Sequence, residues 1–410
     1  MKKAASGRRA IAKQSFCADS KASFYETGGI VSPHKDALQR LSGRSKDWLF
    51  EACFPFWAER GVDPRGGFYE KLTLDGAPIL EATSRVRVQA RQTYVYAHAA
   101  LLGWRPDEAR ALVKRGVDTM LGPCRRDDGL FGKMLTPGEG LADDQPELYD
   151  NAFCLMGLAW AARALADPAL IGEAKKTLEA IDERLAHPSG GYCESLPARA
   201  PRRQNPHMHM FEASLALYEA SKDPAFLARA EQIAGLLVGN FMDLETGFLR
   251  EYFTEDLAPV AGEEGDIIEP GHQLEWTWLL SSFARAKGEP LPGAARKLYA
   301  ASLPFIDARG FAPQTADTGG RVIDASRRSW PQTEAIKAHL ALAEAGDEDA
   351  PGRAARCLES FFEDYLSGVP AGGWRDHFDA AGAPVAKDMP ASTGYHAVLA
   401  LAEFRRVFPS

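Results

Sequence analysis

A glycine with an aromatic residue close behind it recurs six times along the 410 residues, and nothing else in the sequence constrains the fold as strongly. The instances are GGFYEKL around Gly67, DGLFGKM around Gly129, GGYCESL around Gly191, TGFLREYF around Gly247, RGFAPQT around Gly310 and GGWRDHF around Gly373. Successive glycines lie 62, 62, 56, 63 and 63 residues apart. A fixed period of this length marks repeated supersecondary units, none of which buries its apolar face alone. Glycine supplies the positive φ of tight turns, so the markers read as short hairpins or turns.

Between markers the chain is rich in Ala and Leu, with apolar residues recurring at three and four as in a helix. Each interval holds two such stretches, broken near Pro106, Pro168, Pro224 or Pro290–Pro292. The pattern predicts twelve helices, at 35–60, 84–103, 106–121, 147–166, 168–186, 205–221, 223–240, 269–287, 292–307, 330–345, 350–366 and 390–407. Six helix–turn–helix units form either an open solenoid, with polar capping repeats and an extended concave face, or a closed ring. Polar residues gather on one helix of every unit, which favours the ring. The expected fold is an all-α (α/α)6 barrel over 33–410, one catalytic domain, preceded by a loose tail at 1–32.

Five of the polar-bearing helices carry a proline at or near their start: Pro146, Pro206, Pro270, Pro331 and Pro390. Proline suits the first helical position, where its missing N–H costs nothing. Close behind each comes a polar cluster: Tyr149 and Asp150; Asn205, His207, His209 and Glu212; His272 and Glu275; Trp330, Gln332 and Glu334; Tyr395 and His396. The remaining helix carries Arg85, Arg87 and Arg91. If six inner helices run the same way, these clusters line one mouth, where helix N-termini add positive potential.

Position within the repeat separates these residues from His34, His98 and His339, which read as satisfied core or helix-end histidines. Arg85 and Arg87 read equally as structural partners of nearby acids. His207 and His209 are two apart on a helix and point to nearly opposite faces, so at most one enters the pocket. Three histidines with Glu275 also match the donor types of a zinc site, but H-E-x-x-H spacing is absent and the ligands come from three helices. No phosphate-binding glycine loop occurs. A histidine pair without metal suits proton transfer near neutral pH. A buried arginine beside it can stabilise an enediolate, and Glu275 can hold His272 in one tautomer. The reaction class is proton abstraction next to a carbonyl.

The net charge of −8 supplies no basic surface for nucleic acid. No run of eighteen apolar residues exists to span a membrane. The first thirty residues are basic at their start but lack the apolar core of a signal peptide. Six scattered cysteines without C-x-x-C spacing read as reduced thiols of a cytoplasmic protein.

At these residues the chain resembles the N-acylglucosamine 2-epimerase family across essentially its whole length from about residue 35. The resemblance rests on Arg85, Gln89, Ala90 and Arg91, on Y-D-x-A-F at 149–153, N-P-H-M-H-x-x-E-A at 205–213, E-P-G-H-Q-x-E-W at 269–276, W-P-Q-x-E-A at 330–335 and Tyr395-His396. It implies an (α/α)6 barrel and metal-independent, cofactor-free isomerisation or 2-epimerisation through a cis-enediolate. His272 and His396 are then acid and base, Arg91, Asn205 and His209 hold the opened sugar, and Glu275 supports His272. Tyr149, Asp150, Glu212, Trp330 and Gln332 are expected to complete the sugar site. Cellobiose 2-epimerases of the family have a tryptophan shortly before the last histidine. Here the segment is Met389-Pro-Ala-Ser-Thr-Gly394, which favours a mannose-type monosaccharide, and Arg199, Arg202 and Arg203 read equally as a sugar-phosphate site or a solvated loop. The motifs are most similar to those of the mannose-6-phosphate isomerase branch. The expected partner is therefore a sugar or sugar phosphate, with a homodimer left open. Two alternatives stand beside this reading. One is a glycoside hydrolase using carboxylates from among Asp150, Glu212, Glu275 and Glu334; the other is a carbohydrate-binding protein without turnover.

Overall fold

The computed structural model describes residues 34–80 and 82–410; the expected tail at 1–32 lies outside them. The twelve expected helical stretches are present. The first is α1 (Lys35–Asp47), continued through a π turn at Trp48–Cys53 into α2 (Phe54–Arg60). Then follow α3 (Val86–Leu102), α4 (Pro106–Leu121), α5 (Leu148–Leu165), α6 (Ala169–Arg184), α7 (Gln204–Ser221) and α8 (Pro224–Leu236). The last five are α9 (Pro270–Lys287), α10 (Gly293–Ser302), α11 (Ser329–Glu344), α12 (Ala350–Asp364) and α13 (Thr393–Val407).

Helices α3, α5, α7, α9, α11 and α13 form an inner ring, each packing against the next, and α13 returns to α3. The remaining helices form the outer layer. Composition sorts the two layers. Helix α5 (LYDNAFCLMGLAWAARAL) is apolar almost all round and buried on nearly every face, as an element flanked on all sides must be. Helix α12 has a single apolar stripe, Ala350, Ala354, Leu358, Phe361 and Phe362, and leaves its other face to solvent.

Of the five prolines, only Pro270 occupies the first helical position. Pro206 and Pro331 are third in α7 and α11, while Pro146 and Pro390 precede α5 and α13. First-turn N–H groups have no acceptor within the helix, so proline is tolerated across that whole turn.

Six short antiparallel pairings close the ring, and their pattern rules out a solenoid. The segment entering each inner helix pairs with the segment after the next marker. Ser84–Arg85 pairs with Met134–Leu135, Glu147 with Ser195, and Arg202–Arg203 with Tyr252–Phe253. Ile267–Ile268 pairs with Ala316–Asp317, and Arg327–Arg328 with His377–Phe378. The sixth pairing joins Asp388–Pro390 back to Lys71–Thr73, tying the last unit to the first.

The markers are tight turns, with Gly129 at φ 85° and Gly310 at φ 91°. Most are pinned by one polar side chain from the following inner helix. Gln89 accepts from Phe68 N–H and donates to Phe68 C=O, both at 2.8 Å. Asn151 does the same for Phe131 at 2.9 and 3.2 Å, and Gln332 for Ala312 at 2.8 and 2.9 Å. Gln273 accepts from Leu249 N–H at 3.1 Å. In the third unit His207 takes this place. Its Nε2 accepts from Tyr192 N–H at 3.0 Å and its Nδ1 lies 3.0 Å from the Arg203 carbonyl. The sixth unit departs from the device: Trp374 packs into the turn and donates Nε1–H to Pro390 C=O at 3.1 Å. Gln332, expected at the sugar site, is therefore committed to the scaffold, because both ends of its carboxamide are spent on Ala312.

A buried backbone group left without a partner costs about 1–3 kcal/mol. Gln332→Leu strands two, so its unfolding free energy in urea is expected to fall by about 2–4 kcal/mol. A loss within 0.5 kcal/mol would show that the tie holds nothing.

Candidate active site

The inner helices bring their N-terminal turns to one end of the ring, and the pocket there is built around two histidines, each bonded to a different glutamate. His272, on the first turn of α9, has Nδ1 2.9 Å from Glu251 Oε1 and 3.7 Å from Glu269 Oε2. Glu251 is buried and also accepts from Gln204 Nε2 at 3.0 Å, while Gln204 Oε1 takes the Trp276 indole N–H at 2.8 Å. Burial by itself lowers the imidazolium pKa, but the Glu251 and Glu269 charges outweigh it and raise it to about 10. His272 is therefore charged at neutral pH. Glu269, raised by burial and by Glu251, titrates near 7.

His396, on the first turn of α13, has Nδ1 2.9 Å from Glu334 Oε1. Its bond length matches that of His272, yet its charge state is opposite. Burial, then Arg91 and Lys337, hold its pKa well below the ordinary imidazole value. A neutral His396 donates Nδ1–H to Glu334 and keeps a lone pair on Nε2. The Trp330 ring lies between the two, its centroid 4.9 Å from that of His272 and 6.1 Å from that of His396.

Arg91, on α3, is a buried cation with no carboxylate paired to it among the described residues. Aromatic rings hold it instead, with the guanidinium carbon 4.0 Å from the Phe153 centroid and 5.1 Å from that of Tyr395. It donates to Tyr149 Oη at 2.9 Å, and its Nε–H has no partner. His209 faces inward from α7, edge-on to Tyr149, with Nδ1 3.0 Å from Glu212 Oε2. Burial pushes its pKa down to about 4 despite Glu212. Glu212 also accepts the Tyr395 hydroxyl. Asn205 Oδ1 is buried and unpartnered.

Several expectations need correcting. Glu275 does not hold His272; its donor-range neighbours are His209 with Glu212 on one side and His396 with Glu334 on the other. One of its oxygens is buried without a hydrogen bond, and burial, with Glu334 and Glu212 nearby, raises its pKa well above the ordinary value. Gly271 makes room for Trp330: a Cβ there would lie 2.6 Å from the ring. Asp150 is buried against Arg87 at 2.9 Å, and Arg85 pairs with Glu70, so this acid and these arginines brace the wall. In the basic run Arg203 pairs with Glu194, and Arg202 donates to the carbonyls of Gly190, Tyr192 and Glu255. Arg199 bonds Gln145. His98 and His339 each hydrogen-bond a tyrosine at 2.8 Å, as core histidines do. The three pocket histidines fall into separate groups. Among the described residues, no cluster of three or more metal-ligand atoms holds two of them.

Glu251, Glu269 and Lys337 escaped the reading of the sequence. A signal for Glu251 was present: it stands four residues past its marker glycine, Gly247, close to where Glu70, Glu194 and Asp376 stand, three past Gly67, Gly191 and Gly373. Each of those acids bonds the entry of an inner helix, Glu70 to Arg85 N–H, Glu194 to Arg203 N–H and Asp376 to Ser329 Oγ.

An (α/α)6 barrel whose inner-helix starts converge on a pocket of histidines, glutamates and an unpaired arginine is the frame of an enzyme. The chain belongs to the N-acylglucosamine 2-epimerase (GlcNAc 2-epimerase) family, whose model matches residues 67–400, and its class is sugar epimerases and isomerases. It is 35% identical to a mannose-6-phosphate isomerase of Rhizobium meliloti (strain 1021), covering 88% of this chain and 96% of the relative. It is 25% identical to a cellobiose 2-epimerase of Bacteroides fragilis, covering 80% and 88%. The solved cellobiose 2-epimerase of Spirochaeta thermophila DSM 6192 superposes with a TM-score of 0.83 at 23% identity, covering 92% and 98%. No helix among the described residues is long and apolar enough to cross a membrane.

A histidine whose folded pKa is raised binds more protons folded than unfolded. It stabilises below the unfolded value near 6.5, and that stability is lost as pH rises through about 10. The His272 contribution to unfolding free energy should thus fall steadily as pH rises across that window. In Glu251→Gln most of this slope should vanish. Equal slopes in both proteins, measured by urea unfolding from pH 6.5 to 10, would mean that Glu251 does not set the charge of His272.

Proposed function

We propose that the chain is a cofactor-independent aldose–ketose isomerase acting on a mannose-type monosaccharide, free or 6-phosphorylated. The observation that carries the reading is a pair of buried histidines at one pocket, each 2.9 Å from its own glutamate, one beside a second carboxylate, Glu269, and the other on a glutamate shared with Lys337. Environments that drive paired groups apart in this way mark a base and an acid.

On the opened aldose, neutral His396 removes the C2 proton through Nε2, and His272 gives its proton to O1. The product is a 1,2-enediol. His272 then recovers a proton from O2 while His396 returns one to C1, which yields the ketose and restores both histidines. Arg91 faces the oxygens on which negative charge develops and loses no ion pair in doing so. Asn205, His209 and Tyr149 hold hydroxyls of the open chain, and Trp330 forms the wall between the two histidines. Glu212 braces His209 and Glu275 lies beneath the pocket.

Support for a monosaccharide comes from the small residues before His396 and from the relative named mannose-6-phosphate isomerase. The four carboxylates named for the glycoside hydrolase alternative, Asp150, Glu212, Glu275 and Glu334, do not supply a free pair. Glu212 is spent on His209 and Tyr395, Glu334 on His396 and Lys337, and Asp150 on Arg87. Retention of activity after exhaustive chelation is the outcome expected of this reading against a metal-dependent one.

Incubation with mannose or mannose-6-phosphate in D₂O, followed by NMR, should give the ketose with deuterium at C1. His272→Ala and His396→Ala should each slow this by about 10²–10⁴-fold. No ketose and no exchange from either sugar would end the proposal. Glucose or its phosphate with deuterium at C2, and no ketose, would make the enzyme an epimerase.

A further inference from the structure

Three histidine–glutamate pairs of nearly equal length share this pocket: His272–Glu251 at 2.9 Å, His396–Glu334 at 2.9 Å and His209–Glu212 at 3.0 Å. Bond geometry alone cannot give them different charge. What differs is the other charges around them: His272 has a second carboxylate, Glu269, at 3.7 Å, while His396 stands among the cations Arg91 and Lys337. Lys337 lies one helical turn beyond Glu334 on α11, and its ammonium is 2.5 Å from Glu334 Oε2. That ion contact lacks hydrogen-bond alignment. Both side chains have zero exposure. The lysine also faces the Trp278 ring, its Nζ 4.1 Å from the centroid, so it sits below the pocket floor where no substrate atom reaches it.

We propose that Lys337 is a positioning residue that fixes the polarity of the acid–base pair: by occupying the second oxygen of Glu334 it leaves His396 neutral and able to act as the base, whereas Glu251, whose other partner is the neutral Gln204 carboxamide, keeps His272 protonated. The inference rests on the isomerase reading for its catalytic meaning but not for its electrostatics. A carboxylate beside an imidazole stabilises the imidazolium, and an ammonium on that same carboxylate cancels the effect.

The groups facing His396 come from four other helices. Arg91 projects from α3, His209 and Glu212 from α7, Glu275 from α9, and Glu334 with Lys337 from α11. Arg91 acts in the same sense as Lys337, but it opens to the pocket and changes its surroundings when sugar binds. Lys337 is the permanent cation. The His209–Glu212 pair serves as an internal control. Glu212 takes a neutral hydroxyl from Tyr395, yet His209 is held neutral, with burial and Arg91 both acting against charge. Glu212 is also within the field of Lys337. Charge state thus follows the neighbouring charges: Arg91 acts against charge on His209, and Arg91 with Lys337 against charge on His396. His272 faces Glu251, Glu269 and Glu275, and is the one that stays charged.

The test is histidine NMR on the full chain labelled at the imidazole carbons, with resonances assigned through His272→Gln and His396→Gln. At pH 7 the native protein should show His396 neutral with its proton on Nδ1, and His272 doubly protonated. In Lys337→Met the His396 midpoint should rise by about one pH unit or more. Lys337→Arg should leave it near the native value, and Lys337→Met/Glu334→Gln should return it there. If Lys337→Met does not fold, recovery of folding in that double variant shows the unpaired Glu334 charge to be the cause and supports the proposal. A charged His396 at pH 7 in the native protein overturns it. An unmoved midpoint in Lys337→Met does so too. Failure to turn over mannose or its phosphate, with these NMR results intact, would sink the isomerase reading and leave the charge assignment standing.

Discussion

Six helix N-termini meeting at one mouth present a crowd of N–H groups without intrahelical acceptors, and the rest of the structure is arranged around satisfying them. The chain answers with an acid three or four residues past the marker glycine in four of the six units. Glu70 and Glu194 take the backbone N–H of residues at the start of α3 and α7, and Asp376 takes the hydroxyls of Ser329 and Thr393. In the fourth unit the corresponding acid is Glu251, which bonds Gln204 at the start of α7 and His272 at the start of α9. One residue serves the scaffold and charges an imidazole at once. The site is thus a local variation on a repeated structural device, and a change in the device in one unit is enough to create an acid.

This arrangement decides what was legible in the sequence. The period of six, the twelve helices and the convergence of the polar clusters follow from periodicity and turn chemistry, which are local. The closed ring was inferred from where polar residues gather, and the return pairing of Asp388–Pro390 with Lys71–Thr73 establishes it. The clusters themselves could not be divided by sequence. In W-P-Q-T-E-A, Gln332 turns toward its own marker while Glu334, two residues on, turns toward His396. In N-P-H-M-H, His207 and His209 divide in the same way. A helix places residues two apart on nearly opposite sides, so a polar run of this length must serve two neighbours. Glu275 was assigned to His272 because i, i+3 residues share a face; the nearer carboxylate came from a loop twenty-one residues upstream, which no helical spacing reveals.

Beneath the histidines lies a layer that an ordinary core would not tolerate: Glu212, Glu275, Glu334 and Lys337, all buried. It persists because its charges balance. Glu275 is driven toward its neutral form, Glu334 lies 2.5 Å from the Lys337 ammonium, and Glu212 is held by His209, the Tyr395 hydroxyl and the field of the same lysine. Removing one member leaves an uncompensated buried charge, a cost of about 3–5 kcal/mol. Trp278 closes the layer from below, its ring against Lys337 and its N–H on Glu403 at 3.2 Å. The inner face of the barrel is thus graded from apolar packing at one end, through a balanced ionic layer, to the polarised histidine pair at the mouth.

On the proposed reading, that polarisation bears on which product the enzyme makes. In isomerisation His396 gains a proton from C2 and gives one to C1, while His272 gives one to O1 and regains one from O2. Both histidines end as they began, and the next turnover starts at once. In epimerisation His396 takes the proton from one face of C2 and His272 delivers one to the other, so the cycle ends with His396 charged and His272 neutral. Two carboxylates around His272 and two cations near His396 make that end state unfavourable, and it must be reset through solvent before another turnover. A pocket built for epimerisation gains from histidines of similar basicity. On the proposed reading the carboxylates around His272 and the cations near His396 favour the proton cycle that closes on itself.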